Sequence, residues 1–186
     1  MNLKDRIGVD LGRRVSLEDG LQWAIETGVK FIDAQLDIAP NGLETFDEAR
    51  ATPIRDTAHA HGIHLGLHPL SGVNIAAFSP HLSPAIDAYL GDYIDVAMRL
   101  GAEWVVVHPG HHFGNDKTLR MEAAVEHIQR AAEYAEGVGA TLYLENMNWE
   151  PDLAEVHYLA HTVEETRYYF DRLTSPNLQW SFTVNH

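Results

Sequence analysis

The chain of 186 residues contains no cysteine. Disulfide bridges and thiol chemistry are therefore excluded, and a bound metal ion would have to be held by His, Asp or Glu. Those side chains suit divalent Zn, Mn, Fe, Co or Mg, and no organic cofactor is indicated. A G-x-G-x-x-G phosphate loop is also absent after the first predicted strand, where the chain reads Gly8-Val-Asp-Leu-Gly12. Its absence counts against a dinucleotide-binding fold.

Positive charge is scarce, because 13 Lys and Arg residues face 27 Asp and Glu residues and the formal net charge is −14. A protein that binds a nucleic-acid backbone normally carries a basic surface, so nucleic acid is not a favoured partner. Acidity more simply keeps a cytoplasmic protein in solution. No apolar run approaches the roughly 20 residues of a membrane span, and the first residues lack a signal-peptide pattern. We expect a cytoplasmic protein with no membrane partner.

A repeated unit runs along the chain. A helical segment ends in a glycine, and a short apolar run follows, at Gly28, Gly62, Gly101 and Gly139. Glycine just past a helix is a left-handed cap that turns the chain into the next strand. The hydrophobic content of 45% suffices for one packed domain over residues 1–186, and no linker divides it.

This unit predicts six strands with helices between them. The predicted strands are residues 7–11, 31–36, 64–68, 104–108, 142–145 and 179–184. The predicted helices are one capped by Ser16, one over residues 50–61 with Pro53 near its first turn, one from Pro84 through Met98, one from Leu119 through Ala135 and one capped by Thr162 with Glu165.

Alternation of strand and helix implies parallel strands covered by helices. A doubly wound sheet and a (β/α)8 barrel both satisfy this pattern. Polar residues at the carboxyl ends of several strands are how barrel enzymes build their sites, so the barrel is preferred. With six strands, the chain contains about six of the eight βα units.

Four apolar runs end in residues of metal-ligand type: His68, His108, Glu145 and His186. Since a lone buried carboxylate is costly, Glu145 has to be paired, protonated or bound to metal. The structural alternative is a Glu145 held by Arg or Lys, and His68 and His108 as core histidines with ordinary partners. A proline follows both His68 and His108, so each predicted strand stops there.

Further candidates lie just beyond the strand ends. Trp149 and Phe113 have positions from which aromatic rings wall a sugar site, although packing over the barrel rim accounts for them equally well. His111 and His112 are predicted to lie in a solvated turn rather than in a pocket wall.

The sequence resembles the xylose isomerase-like TIM-barrel superfamily, which includes sugar phosphate isomerases and epimerases and the AP endonuclease family 2 enzymes. The matching segments are Gly101-Ala-Glu-Trp-Val-Val-Val-His-Pro-Gly110, Leu142-Tyr-Leu-Glu-Asn146 and Phe182-Thr-Val-Asn-His186. The resemblance extends over essentially the whole chain. It implies a single barrel domain over residues 1–186 that is truncated after the sixth strand.

The resemblance also implies roles for the strand-end residues. The glutamate that ends the family's fifth strand binds metal and transfers protons, which implies both roles for Glu145. The sixth-strand motif Asp-x-x-His implies metal or substrate contact for His186, but Thr183 replaces the metal-binding Asp, so an altered or weakened metal site is expected. His68 and His108 match positions that bind zinc in the endonucleases and approach substrate in the isomerases. The remaining family ligands, on strands 7 and 8, would lie beyond residue 186.

Three functions follow as hypotheses. The favoured one is a divalent-metal-dependent isomerase or epimerase acting on a sugar, sugar phosphate or polyol ketone through a metal-stabilised enediolate. In it Glu145, His108 and His186 bind metal, and His68, His108, Trp149 and His186 contact substrate. The second is a metal-dependent phosphodiester hydrolase. The third is a non-catalytic partial barrel, whose open edges would favour a homo-oligomer or a complementing C-terminal segment.

Overall fold

The computed structural model describes residues 3–184 and 186, and it alternates strands with helices along most of its length. The strands are β1 (Gly8–Asp10), β2 (Phe31–Ala34), β3 (His64–Leu67), β4 (Trp104–Val107), β5 (His111–His112), β6 (Leu142–Glu145), β7 (His157–Tyr158) and β8 (Leu178–Ser181). The helices are α1 (Leu17–Thr27), α2 (Glu48–His61), α3 (Ser83–Leu100), α4 (Lys117–Val138) and α5 (Val163–Phe170). Two short 3-10 turns occupy Leu3–Arg6 and Leu43–Thr45.

Six of these strands form a sheet in the order β1-β2-β3-β4-β6-β8, in which β1 and β2, β2 and β3, β3 and β4, and β6 and β8 pair in parallel. Strands β5 and β7 form a separate antiparallel pair. The predicted class, an α/β fold with parallel strands and intervening helices, is therefore confirmed. None of the described helices is both long and apolar enough to cross a membrane.

The chain divides into two compact units, and the first contains the described residues up to Leu70 together with Asp92–Val105. Its strands pair in parallel, with Ile32 opposite Leu65. Helix α1 begins where the Ser16 side chain accepts a hydrogen bond from the Asp19 N–H, as predicted, and ends at Gly28 with φ of 76°. Alternate residues of β2 and the inner faces of α1 and α2 form a core that includes Leu17, Leu21, Ile32, Ile54 and Leu65.

The second unit comprises Ser71–Gly91 and Val106–His186. Strands β6 and β8 pair in register, with Leu144 opposite Trp180 and Glu145 opposite Ser181. Helix α5 starts at a Thr162 cap that accepts from the Glu165 N–H, which confirms that prediction. The core of this unit includes Ala124, Ile128, Ala132, Leu142 and Leu144, all at most 1% exposed.

Three sequence predictions need correction. The last strand ends at Ser181 rather than at residue 184, because Thr183 bonds to the Asn146 side chain instead of continuing a ladder. Pro53 lies in the second turn of α2 and not near its first, since the helix begins at Glu48. His111 and His112 form a strand paired with β7, so the predicted solvated turn is wrong.

Candidate functional site

Glu145 is the last residue of β6 and is buried, with 5% of its surface exposed. The strand before it is apolar and largely buried, so the backbone ladder with β8 fixes where the side chain projects. A buried carboxylate has to be compensated by donors or cations because its desolvation is costly. Its neighbours therefore define the site.

Two side chains of the second unit lie directly against the two oxygens of Glu145. The Nε2 atom of His108 is 3.0 Å from Oε2. The hydroxyl of Thr183 donates a hydrogen bond to Oε1. His186 is more distant, with Nδ1 3.7 Å from Oε1. The carboxylate is thus flanked by one imidazole and one hydroxyl, with a second imidazole nearby.

His108 follows β4 directly and is 6% exposed. The loop after it is held by Asn74, whose side chain accepts from the His111 N–H at 3.0 Å and donates to the His111 carbonyl at 3.0 Å. Gly110 has φ of 87°, and a side chain there would collide with Asn74 and Ala76. A glycine is therefore required for the chain to turn so closely after His108.

Asn146 organises the segment that carries Thr183 and His186. Its side-chain Oδ1 accepts from the Thr183 N–H at 2.8 Å, and its Nδ2 donates to the Thr183 carbonyl at 3.0 Å. Its own carbonyl lies 2.7 Å from Nδ1 of His186. Because a carbonyl only accepts, His186 carries its proton on Nδ1, and Nε2 keeps a lone pair for a ligand. Asn185 of the same motif lies outside the described residues.

His68 belongs to the first unit and follows β3, where its N–H continues the ladder to the Ala34 carbonyl at 2.9 Å. Its Nδ1 lies 3.5 Å from Oδ2 of Asp33, and its side chain is 22% exposed. The strand end thus presents a partly accessible imidazole beside a carboxylate, and the role predicted for His68 stays a prediction.

The remaining candidates lie on loops and on the short antiparallel pair. Trp149 is 63% exposed and Phe113 is 51% exposed, so neither ring packs as a buried rim residue. His112 is 6% exposed, and its ring stacks on His157 with centroids 5.5 Å apart. Burial lowers the pKa of His111 and of His112, and nearby cations, Arg120 and Lys117 respectively, lower it further.

The donor chemistry of the site fits a divalent ion. Within the second unit, His108 and Glu145 belong to a group of His and Glu side chains that could hold a metal ion. A carboxylate oxygen with imidazole nitrogens suits Zn, Mn, Co or Fe. The metal role predicted for His186 is not tested by this grouping and stays a prediction.

Two contributions to the site could not be read from the sequence. Asn74 lies 34 residues before His108, and nothing in its local pattern indicates that it braces the loop after β4. In the sequence, Thr183 is recognisable only as the replacement of a metal-binding Asp. The structure shows that its hydroxyl instead donates to Glu145.

A family model described as xylose isomerase-like TIM barrel matches residues 21–186. The chain belongs to the xylose isomerase-like TIM-barrel family. The resemblance drawn from the strand-end motifs is therefore confirmed over most of the chain. No match was found among curated proteins.

Solved structures with the xylose isomerase-like fold align along nearly all of this chain. A D-tagatose 3-epimerase-like protein has 21% identity and a TM-score of 0.75, covering 94% of this chain and 63% of that one. D-psicose 3-epimerase with D-tagatose from Clostridium cellulolyticum H10 has 17% identity and a TM-score of 0.77, covering 94% and 62%. A xylose isomerase domain protein from Planctomyces limnophilus has 16% identity and a TM-score of 0.69, covering 95% and 62%.

At these identities the likeness shows the fold alone. The chain spans 62–63% of the length of these three structures. Its six parallel strands thus correspond to a partial (β/α)8 barrel of the xylose isomerase-like type.

Proposed function

We propose that this chain provides part of the active site of a divalent-metal-dependent sugar isomerase or epimerase. The observation that carries the proposal is the buried Glu145 at the end of β6, between the His108 imidazole and the Thr183 hydroxyl. Support comes from the family and from similar solved structures that are named as ketose 3-epimerases. The substrate class is therefore a sugar, a sugar phosphate or a related polyol ketone.

Glu145 would transfer the proton at the carbon beside the substrate carbonyl. Thr183 fixes Oε1 by donating to it, so Oε2, on the His108 side, is the oxygen we assign to proton transfer. A carboxylate held in one orientation needs less reorganisation when it accepts a proton. His186, held through Nδ1 by the Asn146 carbonyl, directs Nε2 toward a ligand.

Glu145, His108 and His186 would hold the metal ion, which supplies polarisation of the substrate carbonyl and stabilises the developing enediolate charge. Thr183 contributes a neutral hydroxyl where the family has a carboxylate, so the protein offers the ion little negative charge. A loosely held ion is the consequence. His68 and Trp149 would contact the sugar, His68 through its accessible imidazole and Trp149 through its exposed ring.

Proton exchange tests this assignment more directly than product formation, because exchange needs one base and epimerisation needs one on each face of the carbon. The chain is incubated in D2O with D-tagatose or D-psicose and Mn²⁺ or Co²⁺, and loss of the C3 proton signal is followed by NMR. We expect metal-dependent exchange with little epimer, because the second base would lie on strands of the full barrel that are not among the described residues.

The variant Glu145→Gln is expected to reduce exchange on the order of 100-fold, the usual contribution of a positioned base. Glu103→Gln is the matched control, since Glu103 is 55% exposed and pairs with His64 in the first unit. Exchange that persists in Glu145→Gln contradicts the role of Glu145. Absence of exchange on every ketose, together with zinc-dependent cleavage of an abasic oligonucleotide, would favour the phosphodiester hydrolase instead.

A further inference from the structure

A second cleft lies in the second unit, beside the first turns of α3 and the N-terminal half of α4. Its volume is about 620 Å³, within the range of small-molecule sites. Phe78, Pro80 and Leu119 give it an apolar wall, and Phe78 and Leu119 are each more than half exposed. Ser83, Asp87 and His127 also line it. None of these residues takes part in the function proposed above.

Ser83, His127 and Asp87 are connected in that order by hydrogen bonds. The Oγ atom of Ser83 is 3.5 Å from Nε2 of His127. The Nδ1 atom of His127 is 2.6 Å from Oδ1 of Asp87. So short a contact with a carboxylate oxygen requires the proton on Nδ1, which leaves the Nε2 lone pair facing the hydroxyl. A nucleophile, a base and a group that orients the base are thus connected in space. The contact between Ser83 and His127 is long, as is common before substrate binds.

Arg130 adds a positive charge at the same place. Its Nε donates to Oδ2 of Asp87 at 2.8 Å, and its Nη2 lies 3.3 Å from the Ser83 hydroxyl and 3.0 Å from Nδ1 of His127. Burial acts to raise the pKa of Asp87, but hydrogen bonds from Arg130 and His127 outweigh it and the pKa falls below its ordinary value. Asp87 is therefore an anion at neutral pH and can stabilise a charged His127.

We propose that Ser83 is an activated nucleophile, with His127 as its base, in a second site that takes carboxylic esters. The Ser83 oxygen bonds to the ester carbon while its proton moves to His127. The C–O bond to the alcohol then breaks and the alcohol takes that proton. Water attacks the acyl-Ser83 by the same route, releases the acid and restores the serine.

The surroundings of Ser83 decide which group stabilises the negative oxygen formed during this attack. The Ser83 N–H already bonds to the Ser79 carbonyl at 3.1 Å, and the Ala85 N–H bonds to Leu82 at 3.0 Å. Pro84 has no N–H. Backbone donors are thus occupied, and the Arg130 guanidinium is the group placed to stabilise the oxyanion.

The side chains that line the cleft restrict the charge and the acyl group of the ester that could bind. Phe78 and Leu119 provide apolar surface for an alkyl acyl group. Glu122 and Glu126 also line the cleft and would repel an anion. The substrate class is therefore an uncharged alkyl ester rather than a phosphorylated or carboxylated one.

An alkyl fluorophosphonate tests the proposal, because it reacts with activated serines by losing fluoride and forming an Oγ–P bond. The whole chain is labelled, digested with trypsin and sequenced by mass spectrometry. Ser79 is an internal control, since it lines the same cleft and lies on the same tryptic peptide, residues 56–99. We expect labelling at Ser83 on the order of 100-fold faster than at Ser79.

Variants separate activation from simple exposure. Asp87→Asn is expected to slow labelling of Ser83 several-fold, and His127→Gln to reduce it to the level of Ser79. Ser83→Ala should abolish both the adduct and hydrolysis of p-nitrophenyl butyrate. Equal labelling of Ser83 and Ser79 in the unaltered chain overturns the proposal and leaves the cluster as a polar link between two helices. That comparison needs no variant to fold.

Discussion

Thr183 determines how much negative charge surrounds Glu145. Its hydroxyl donates to Oε1, so one carboxylate oxygen is hydrogen-bonded where the family motif would place a second carboxylate. In the metal-free protein this is favourable, because a carboxylate at residue 183 would repel Glu145 at short range. For cation binding it is unfavourable, because fewer charges offset that of the ion. Stability without metal and affinity for metal are therefore opposed at this position.

The substitution Thr183→Asp should lower the thermal midpoint of the metal-free protein and raise its affinity for Mn²⁺ by about tenfold, or about 1.4 kcal/mol. Calorimetric titration measures the Mn²⁺ affinity. Thermal unfolding without and with Mn²⁺ shows whether the substitution lowers the midpoint in the first case and raises it in the second. Thr183→Ser is the control, since it keeps the donated hydrogen bond. Equal Mn²⁺ affinity in all three proteins would show that residue 183 does not face the ion.

Tyr169 on α5 is fully buried, and its hydroxyl has no hydrogen-bond partner among the described residues. Burial and the nearby charge of Glu165 raise the pKa of Tyr169 well above its ordinary value. A buried polar group without a partner costs free energy, so the change Tyr169→Phe should leave stability unchanged or raise it by up to about 1 kcal/mol.

Urea unfolding of the Tyr169→Phe variant measures this effect. Tyr168→Phe serves as the comparison, because Tyr168 is the neighbouring residue on the same helix. The Arg172 guanidinium lies over the Tyr168 ring, 3.6 Å from its centroid. A loss of more than about 1 kcal/mol in Tyr169→Phe alone would mean that its hydroxyl is satisfied, for example by a buried water shared with Glu165.

At the level of elements, the antiparallel pair of β5 and β7 is expected to lose stability in mild acid. His112 is buried there and accepts a hydrogen bond from the Gly114 N–H through Nδ1 at 3.1 Å. Its folded pKa is lowered, first by burial, from the ordinary 6.5. Below about pH 6.5 the unfolded chain therefore binds a proton that the folded chain does not. The contribution of His112 to the free energy of unfolding is therefore constant above about pH 6.5 and is lost as the pH falls below about 6.5.

The variant His112→Asn should lose less stability than the unaltered chain between pH 7.5 and pH 5.5. Asparagine can still accept from the Gly114 N–H through its side-chain oxygen, but it cannot take up a proton. Urea unfolding at the two pH values gives the comparison. Identical pH dependence in both proteins would show that the His112 ring is already solvated in the folded state.

The regular elements were predictable because their signals are local. The glycines after α1, α2 and α4 adopt positive φ, and the Ser16 and Thr162 caps accept the expected N–H groups. The β5–β7 pair was not predictable because each strand has only two residues and paired residues lie far apart along the chain, 47 positions for His111 and Tyr158. No periodicity exists over two residues, so only the folded chain could show that pairing.

The strand-end residues of the site were predictable from the sequence, but the contacts that hold them were not. Strand-end positions identified Glu145 and His108, which the structure brings within 3.0 Å of each other. The two hydrogen bonds from the Asn146 side chain to the Thr183 backbone were not predictable. The two residues are 37 positions apart, so no local sequence pattern indicates the contact. The sequence thus predicts which residues end the strands, and the fold decides how they are held.

At the scale of the whole molecule, the sheet ends at β8, and apolar side chains are exposed there. Trp180 is 49% exposed, Phe182 64% and Val184 82%, and the rings of Trp180 and Phe182 lie 5.1 Å apart. A neighbouring groove of about 520 Å³ is lined mainly by apolar surface, including Phe170 and Val163. An edge strand with exposed aromatic rings favours association with another chain or segment.

We therefore expect the 186-residue chain to associate at micromolar concentration through this edge, and Phe182→Lys to shift it toward the monomer in sedimentation velocity. Leu153→Lys is a matched control, since Leu153 is 97% exposed elsewhere and the substitution changes net charge by the same amount. If the two variants weaken association equally, the contact depends on exposed apolar surface in general and not on the β8 edge, because each added lysine reduces the repulsion between chains of net charge −14 by the same amount. If only Phe182→Lys dissociates the chain, the β8 edge is the contact, because that variant alone places a charge directly beside the edge strand.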